Sequence, residues 1–219
     1  MKVQAIIFDM DGTIFDTERL LMRSWQEAVN RGTVPSGVLD EIPKWRGFTR
    51  DEVAKKLREL YGADFPSEQL SQQRREIIRE LLDREGVPLK SGVPQVFDEL
   101  QELGIPMALA TATSAPSVND YMRRTGYGKY FRCRITGDRV PKGKPAPDIF
   151  LLAAQELGIT PENCVVIEDS PNGVRAGVAA GMRTIMIPDM EQPDDSIRGM
   201  LWHCCDTLAE IPALIKQEL

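Results

Sequence analysis

Histidine is almost absent from this sequence: His203 is the one copy in 219 residues. That excludes a multi-histidine metal centre, and nothing around it supplies the logic of a Ser-His-Asp hydrolase. Cysteine is sparse as well. Cys133, Cys164, Cys204 and Cys205 form no C-x-x-C pair, and the adjacent Cys204 and Cys205 are a poor framework for zinc or disulfides. The expectation is two buried strand thiols and two free ones near the C-terminus. A basic excess is also missing, since 27 Lys and Arg face 33 Asp and Glu for a net charge of -6. A nucleic-acid binder would carry a basic stripe, and an anionic membrane surface would repel such a chain. Long hydrophobic runs are lacking: none approaches the ~18 residues of a membrane span. The apolar start, Met1 to Phe8, is too short for a signal peptide and runs at once into Asp9 and Asp11. The chain is expected to be cytoplasmic and, by default, monomeric, with neither nucleic acid nor membrane as partner.

What is present suits a soluble α/β protein. With 42% hydrophobic and 27% charged residues, the chain can bury one sizeable core and a smaller satellite. Val3 to Phe8 reads as a strand. From Thr17 to about Glu85 the pattern is helical, with Thr49-Arg50-Asp51-Glu52 as a capping box opening a helix toward Tyr61 and Ser67 as the cap of another. After Gly86 helices and strands alternate. Helices are expected over 93–103, from Ser114 to Gly126, over 147–157 and 171–180, and after the capping box Thr207-Leu208-Ala209-Glu210. Strands are expected over 105–110, 133–136, 164–167 and 183–187, with a solvated loop over 188–198. Five near-continuously apolar strands separated by helices predict a parallel, Rossmann-like sheet with helices on both faces. Residues 1–15 and 87–219 form this core. Residues 16–86 interrupt the first crossover as a small helical cap domain.

In such sheets ligands bind beyond the carboxyl ends of the strands. Four loops should therefore meet on one rim, carrying Asp9-Met10-Asp11-Gly12-Thr13, Thr111-Ala112-Thr113, Lys142-Gly143-Lys144-Pro145 and Glu168-Asp169-Ser170. Four carboxylates crowded together repel one another. A lysine helps, but a divalent cation is the natural solution, and Mg2+ favours oxygen ligands and shares its shell with phosphate. Ser170 before Pro171, and Ser114 before Pro116, are plausible helix N-caps whose free N–H groups favour an anion. A calcium loop is a rival for the first motif, but Gly12 comes too early and a strand precedes it.

Phe8-Asp9-Met10-Asp11-Gly12-Thr13 resembles the first motif of the haloacid-dehalogenase-like hydrolase superfamily. Thr111 after Leu109-Ala110, Lys144-Pro145 and Glu168-Asp169 resemble its second, third and fourth. Asp16-Thr17-Glu18, Lys144 to Phe150 and Glu168 to Val174 resemble the β-phosphoglucomutase-like subgroup, which includes sugar-phosphate phosphatases and pseudouridine-5′-phosphatases. The resemblance implies a magnesium-dependent phosphatase of a small phosphorylated metabolite, a sugar phosphate or nucleoside monophosphate, acting through an aspartyl-phosphate. Asp9 would be nucleophile and metal ligand. Asp11 would be general acid and base, with its backbone carbonyl on the metal. Asp169 would complete the protein ligands, with Glu168 behind it or reaching the metal through water. Thr111, Ala112 and Lys144 would hold the phosphoryl group; Lys144 is favoured over Lys142 because Pro145 follows it.

Arg46-Gly47-Phe48-Thr49-Arg50 resembles the subgroup's substrate-facing loop, which implies Gly47 and Arg50 as substrate contacts. Equally, Thr49 could simply cap a helix and leave Arg50 solvated. Trp25 and Trp45 read as core, Gly173, Gly177 and Gly181 as close helix packing, and Glu18, Leu20 and Leu21 as candidates for the cap face. The alternative activity is a β-phosphoglucomutase-type hexose-phosphate mutase. Leu21 stands where those mutases carry a cap histidine, and Thr13 where Val is common; Arg50 is retained. Asp11 argues against a dehalogenase, the surroundings of Lys44 against a phosphonate hydrolase, and the full set of catalytic groups against a mere binding module.

Overall fold

The structure is a computed structural model describing residues 2–45 and 50–218, with Arg50 described by its backbone. It divides into two compact units, Met1–Asp16 with Val87–Leu219, and Thr17–Gly86.

The first unit holds a wholly parallel sheet in the order β3-β2-β1-β4-β5-β6. Its strands are β1 (Ala5–Phe8), β2 (Met107–Ala110), β3 (Phe131–Ile135), β4 (Cys164–Glu168), β5 (Arg183–Met186) and β6 (His203–Cys204). Every residue of β1, β2 and β4 is buried, as a strand covered on both faces must be. Alternation sends Ile6 and Phe8 into one apolar layer with Leu109 and Ile167, and Ala5 and Ile7 into the other with Ala108 and Val166. On the first face lie α4 (Val93–Glu102), α5 (Ala115–Thr125) and α9 (Ile211–Lys216), through Phe97, Met122 and Ile215. On the second lie α6 (Asp148–Leu157) and α7 (Pro171–Ala179), through Phe150 and Ala176.

Three expectations for the strands and loops of this unit need correction. The sheet has six strands rather than five: β6 is two residues long, too short for any periodicity to register. β3 starts at Phe131 rather than Cys133; it is an edge strand whose residues alternate in burial, and Arg132 and Arg134 interrupt the apolar run that would have marked it. The segment 188–198 is not all loop. Asp194 accepts from the Ile197 N–H at 2.8 Å and caps α8 (Asp195–Arg198), and Ile197 is buried with Val174 and Met186.

The second unit is helical: α1 (Thr17–Asn30), α2 (Arg50–Tyr61) and α3 (Ser67–Glu85), with no strand among its described residues. Leu57, Leu70, Ile77 and Leu81 are buried. Trp25 and Trp45 are buried core residues, as expected, and meet edge to face with centroids 6.5 Å apart. The Arg74 guanidinium stacks on Trp25 at 3.6 Å and donates to the Ser24 hydroxyl. Ser67 does not cap α3. Pro66 holds the N-cap position, and the Ser67 hydroxyl instead accepts from Arg58 at 2.6 Å. Leu20 is buried and Leu21 exposed. Residues 46–49, and with them the proposed capping Thr49, lie outside the described residues.

Candidate active site

The functional loops leave the carboxyl ends of β1, β2 and β4 and the segment after β3. The Asp9 N–H donates to the Ile167 carbonyl at 2.9 Å, so the end of β1 stays locked to β4. A tight turn follows, with Gly12 N–H on the Phe15 carbonyl at 2.8 Å. Gly12 has φ +82°, and a Cβ there would fall on the Asp169 carboxylate. Only glycine meets both demands.

Asp9 is buried, and its Oδ1 accepts from Lys144 Nζ at 2.5 Å. The same ammonium donates to Glu168 Oε1 at 2.7 Å and to the Ala110 carbonyl at 3.2 Å. Lys144 thus spends its three protons on three acceptors, while Lys142 is exposed. Glu168 is equally committed. Its Oε2 accepts from the N–H groups of Asp169 and Ser170, each at 2.9 Å, and from the Ser170 hydroxyl at 3.0 Å. Ser170 also caps α7, accepting from Gly173 N–H at 3.1 Å. Gly173 packs against this arrangement: a Cβ there would overlap the Glu168 carboxylate.

Asp11 stands apart from this cluster. Its Oδ2 accepts from the Thr111 hydroxyl at 3.1 Å and the Thr113 hydroxyl at 2.6 Å. Ala112 lies between them, exposed, with Gly137 packed so closely on its carbonyl that a Cβ would overlap it. Asp169 has the Thr13 hydroxyl at 3.5 Å from its Oδ1. Ser114 occupies the N-cap position of α5, but its side chain makes no capping bond. Gly47 and the side chain of Arg50 lie outside the described residues.

Electrostatics follow from this crowding. Burial pushes Asp9 up to about 8, with Lys144 opposing and Glu168 and Asp11 reinforcing. Asp169 is pushed up to about 9 by burial, then by Glu168 and Asp9. Glu168 goes the other way: burial would raise it, but Lys144 and the Ser170 donors hold it below the usual carboxylate range. Lys144 is held above the usual lysine range by Asp9 and Glu168 despite its burial. One ammonium therefore does not satisfy these carboxylates. Asp9, Glu168 and Asp169 each present an oxygen, all within 4.8 Å of one another. An all-oxygen donor set with surplus negative charge fits a hard divalent cation.

Residues 3–181 match the family of haloacid dehalogenase-like hydrolases. The chain belongs to that family. As a haloacid dehalogenase-like hydrolase it has relatives named for phosphatase activity. It is 33% identical to fructose-1-phosphate phosphatase YqaB of Escherichia coli over 84% of this chain and 96% of that one. It is 34% identical to hexitol phosphatase A of the same organism, over 85% of this chain and 84% of that one. Among solved structures it resembles CbbY from Rhodobacter sphaeroides in complex with phosphate, with TM-score 0.77, 31% identity, and 95% and 96% of the two chains covered.

Two site features escaped the sequence reading. Thr113 was one residue of a loop without an assigned role; the signal was a second hydroxyl two positions beyond Thr111. Gly173 packs closely, as expected, but the group it meets is the Glu168 carboxylate.

Proposed function

We propose that this phosphoric monoester hydrolase removes phosphate from a small sugar or sugar-alcohol phosphate through a phosphorylated Asp9, with Mg2+ as its metal. The observation that carries the reading is the division of labour among the carboxylates. Asp9 is bonded to Lys144, with oxygens of Glu168 and Asp169 within 4.8 Å, whereas Asp11 is held separately by two hydroxyls. A nucleophile beside a cation and a second carboxylate free to carry a proton are what a two-step phosphoryl transfer requires.

In the first step a carboxylate oxygen of Asp9 attacks phosphorus and the ester P–O bond breaks. Asp11 gives its proton to the departing alcohol oxygen. In the second step water attacks the phosphorus of the acyl phosphate, and Asp11 takes one of its protons. The bond between Asp9 and phosphorus breaks, releasing inorganic phosphate. Lys144, the Thr111 hydroxyl and the Ala112 N–H meet the charge of the transferring group. Glu168, with both oxygens engaged, orients Lys144. Asp9, Asp169 and the Asp11 carbonyl would hold Mg2+, which when bound neutralises charge on the phosphoryl oxygens.

The substrate class rests on relatives named for fructose 1-phosphate and hexitol phosphates; nucleoside monophosphates are the wider alternative. The same proposal assigns catalysis to residues 1–15 and 87–219 and selection of the leaving group to the helical insert, residues 16–86, through Gly47 and Arg50. The test is phosphate release from sugar phosphates and nucleoside monophosphates, with and without Mg2+, beside Asp9→Asn. Metal-dependent release, lost in the variant and fastest on a sugar phosphate, is expected. Interconversion of hexose phosphates upon adding a bisphosphate, without net release, would overturn the reading in favour of a mutase.

A further inference from the structure

The Asp11 carboxyl is held by a small network of hydroxyl and backbone donors. The Thr113 backbone N–H donates to the Thr111 hydroxyl oxygen at 3.1 Å. The Thr111 hydroxyl then directs its single proton to Asp11 Oδ2 at 3.1 Å, and Thr113 directs its own to the same oxygen at 2.6 Å. An oxygen that accepts two O–H donors has both of its lone-pair sites filled and is not the one to carry a proton. Oδ1 is then the oxygen left free of these two donors. Around this group, Tyr121 is half-buried, its phenol pushed up to about 12 by burial first and then by Asp11, so it stays neutral.

The two hydroxyls are not equivalent. Under the function proposed above, Thr111 turns toward the transferring phosphoryl group when substrate binds. Thr113 then becomes the hydroxyl that keeps Asp11 in register, through the shorter of the two bonds.

We infer that Thr113 is a positioning residue for the general acid: its hydroxyl occupies Asp11 Oδ2 and so leaves Oδ1 to face the leaving oxygen. The inference rests on the assignment of Asp11 as that acid. It makes the need for Thr113 depend on the leaving group. An alcohol oxygen must be protonated as it departs, whereas a nitrophenolate leaves without help.

The experiment measures kcat/KM, which covers only the steps through departure of the leaving group. Thr113→Val, Thr113→Ala, Thr113→Ser and Asp11→Asn are compared with the native chain on a sugar phosphate and on p-nitrophenyl phosphate, with Mg2+ present. Thr113→Val and Thr113→Ala should lose roughly 10- to 100-fold on the sugar phosphate, a fraction of what general acid catalysis supplies, and little on the aryl ester. Thr113→Ser should recover most of the loss. Asp11→Asn should lose more, with the same preference. If Asp11→Asn discriminates but the Thr113 variants lose equally on both esters, or on neither, the inference about Thr113 is wrong. If Asp11→Asn itself loses equally on both esters, the assignment of Asp11 fails instead.

Discussion

The Asp169 carboxyl, pushed up to about 9, and the Asp9 carboxyl, pushed up to about 8, hold protons in the metal-free fold that the unfolded chain, near 3.8, releases. Between about pH 4 and 8 the folded state therefore binds more protons than the unfolded one, and stability falls as pH rises. Glu168, whose shift is downward, contributes only at the acid end of this range. The expected outcome is a melting temperature that declines from pH 5.5 to 8 in chelator. Mg2+ should flatten that decline by favouring the ionised forms. Asp169→Asn should melt at or above the native temperature at pH 8 in chelator, with a shallower slope and no response to Mg2+. Scanning fluorimetry decides the matter; an unchanged Mg2+ shift in the variant would remove Asp169 from the metal site.

Helix starts in this protein serve two different ends. Ser170 caps α7 and also donates to Glu168, whereas Asp194 caps α8 through Ile197 N–H and contributes nothing to Glu168. Loss of either cap should cost about 1 kcal/mol, a melting shift of about 2–4 °C for a chain of this size. Ser170→Ala should also lower kcat/KM, because Glu168 loses a donor and Lys144 its fixed partner. Asp194→Ala should leave kcat/KM unchanged. Equal kinetic effects of the two substitutions would count against Glu168 as the group that orients Lys144. The Ser170 cap was legible as Ser before Pro at the head of an apolar helix. The Pro66 start of α3 was not, because the Ser67 hydroxyl is drawn away by Arg58, nine residues earlier.

Across the whole molecule, the chain leaves and re-enters the sheet-bearing unit at neighbouring points. Asp16 N–H donates to the Pro88 carbonyl and Lys90 N–H to the Ile14 carbonyl, each at 2.9 Å, and Phe15 bridges to Leu89. Lys90 adds an ion pair to Asp189 at 2.6 Å. The two crossings thus pair with each other inside one unit, so that unit closes without the insert. Joining residues 1–16 to 87–219 through a short Gly/Ser linker should give a protein that melts cooperatively and keeps its Mg2+ response, since loop closure changes only slowly with length. A product without a cooperative transition would show that residues 17–86 are needed for folding of the sheet.

The sequence by itself determined the layered α/β core and the ends of strands where chemistry collects. Short, fully apolar runs can be little else than strands covered on both sides, and Asp9, Asp11, Thr111, Lys144 and Asp169 stand out as polar residues placed just after such runs or in the loops between them. Only the tertiary structure decided how those groups are shared. Lys144 reaches Asp9 across 135 positions and Thr113 reaches Asp11 across 102. Gly12 is fitted to the Asp169 carboxylate, which approaches it from another loop. Such bonds depend on side-chain direction and on distances between segments brought together by the sheet, and local pattern carries neither.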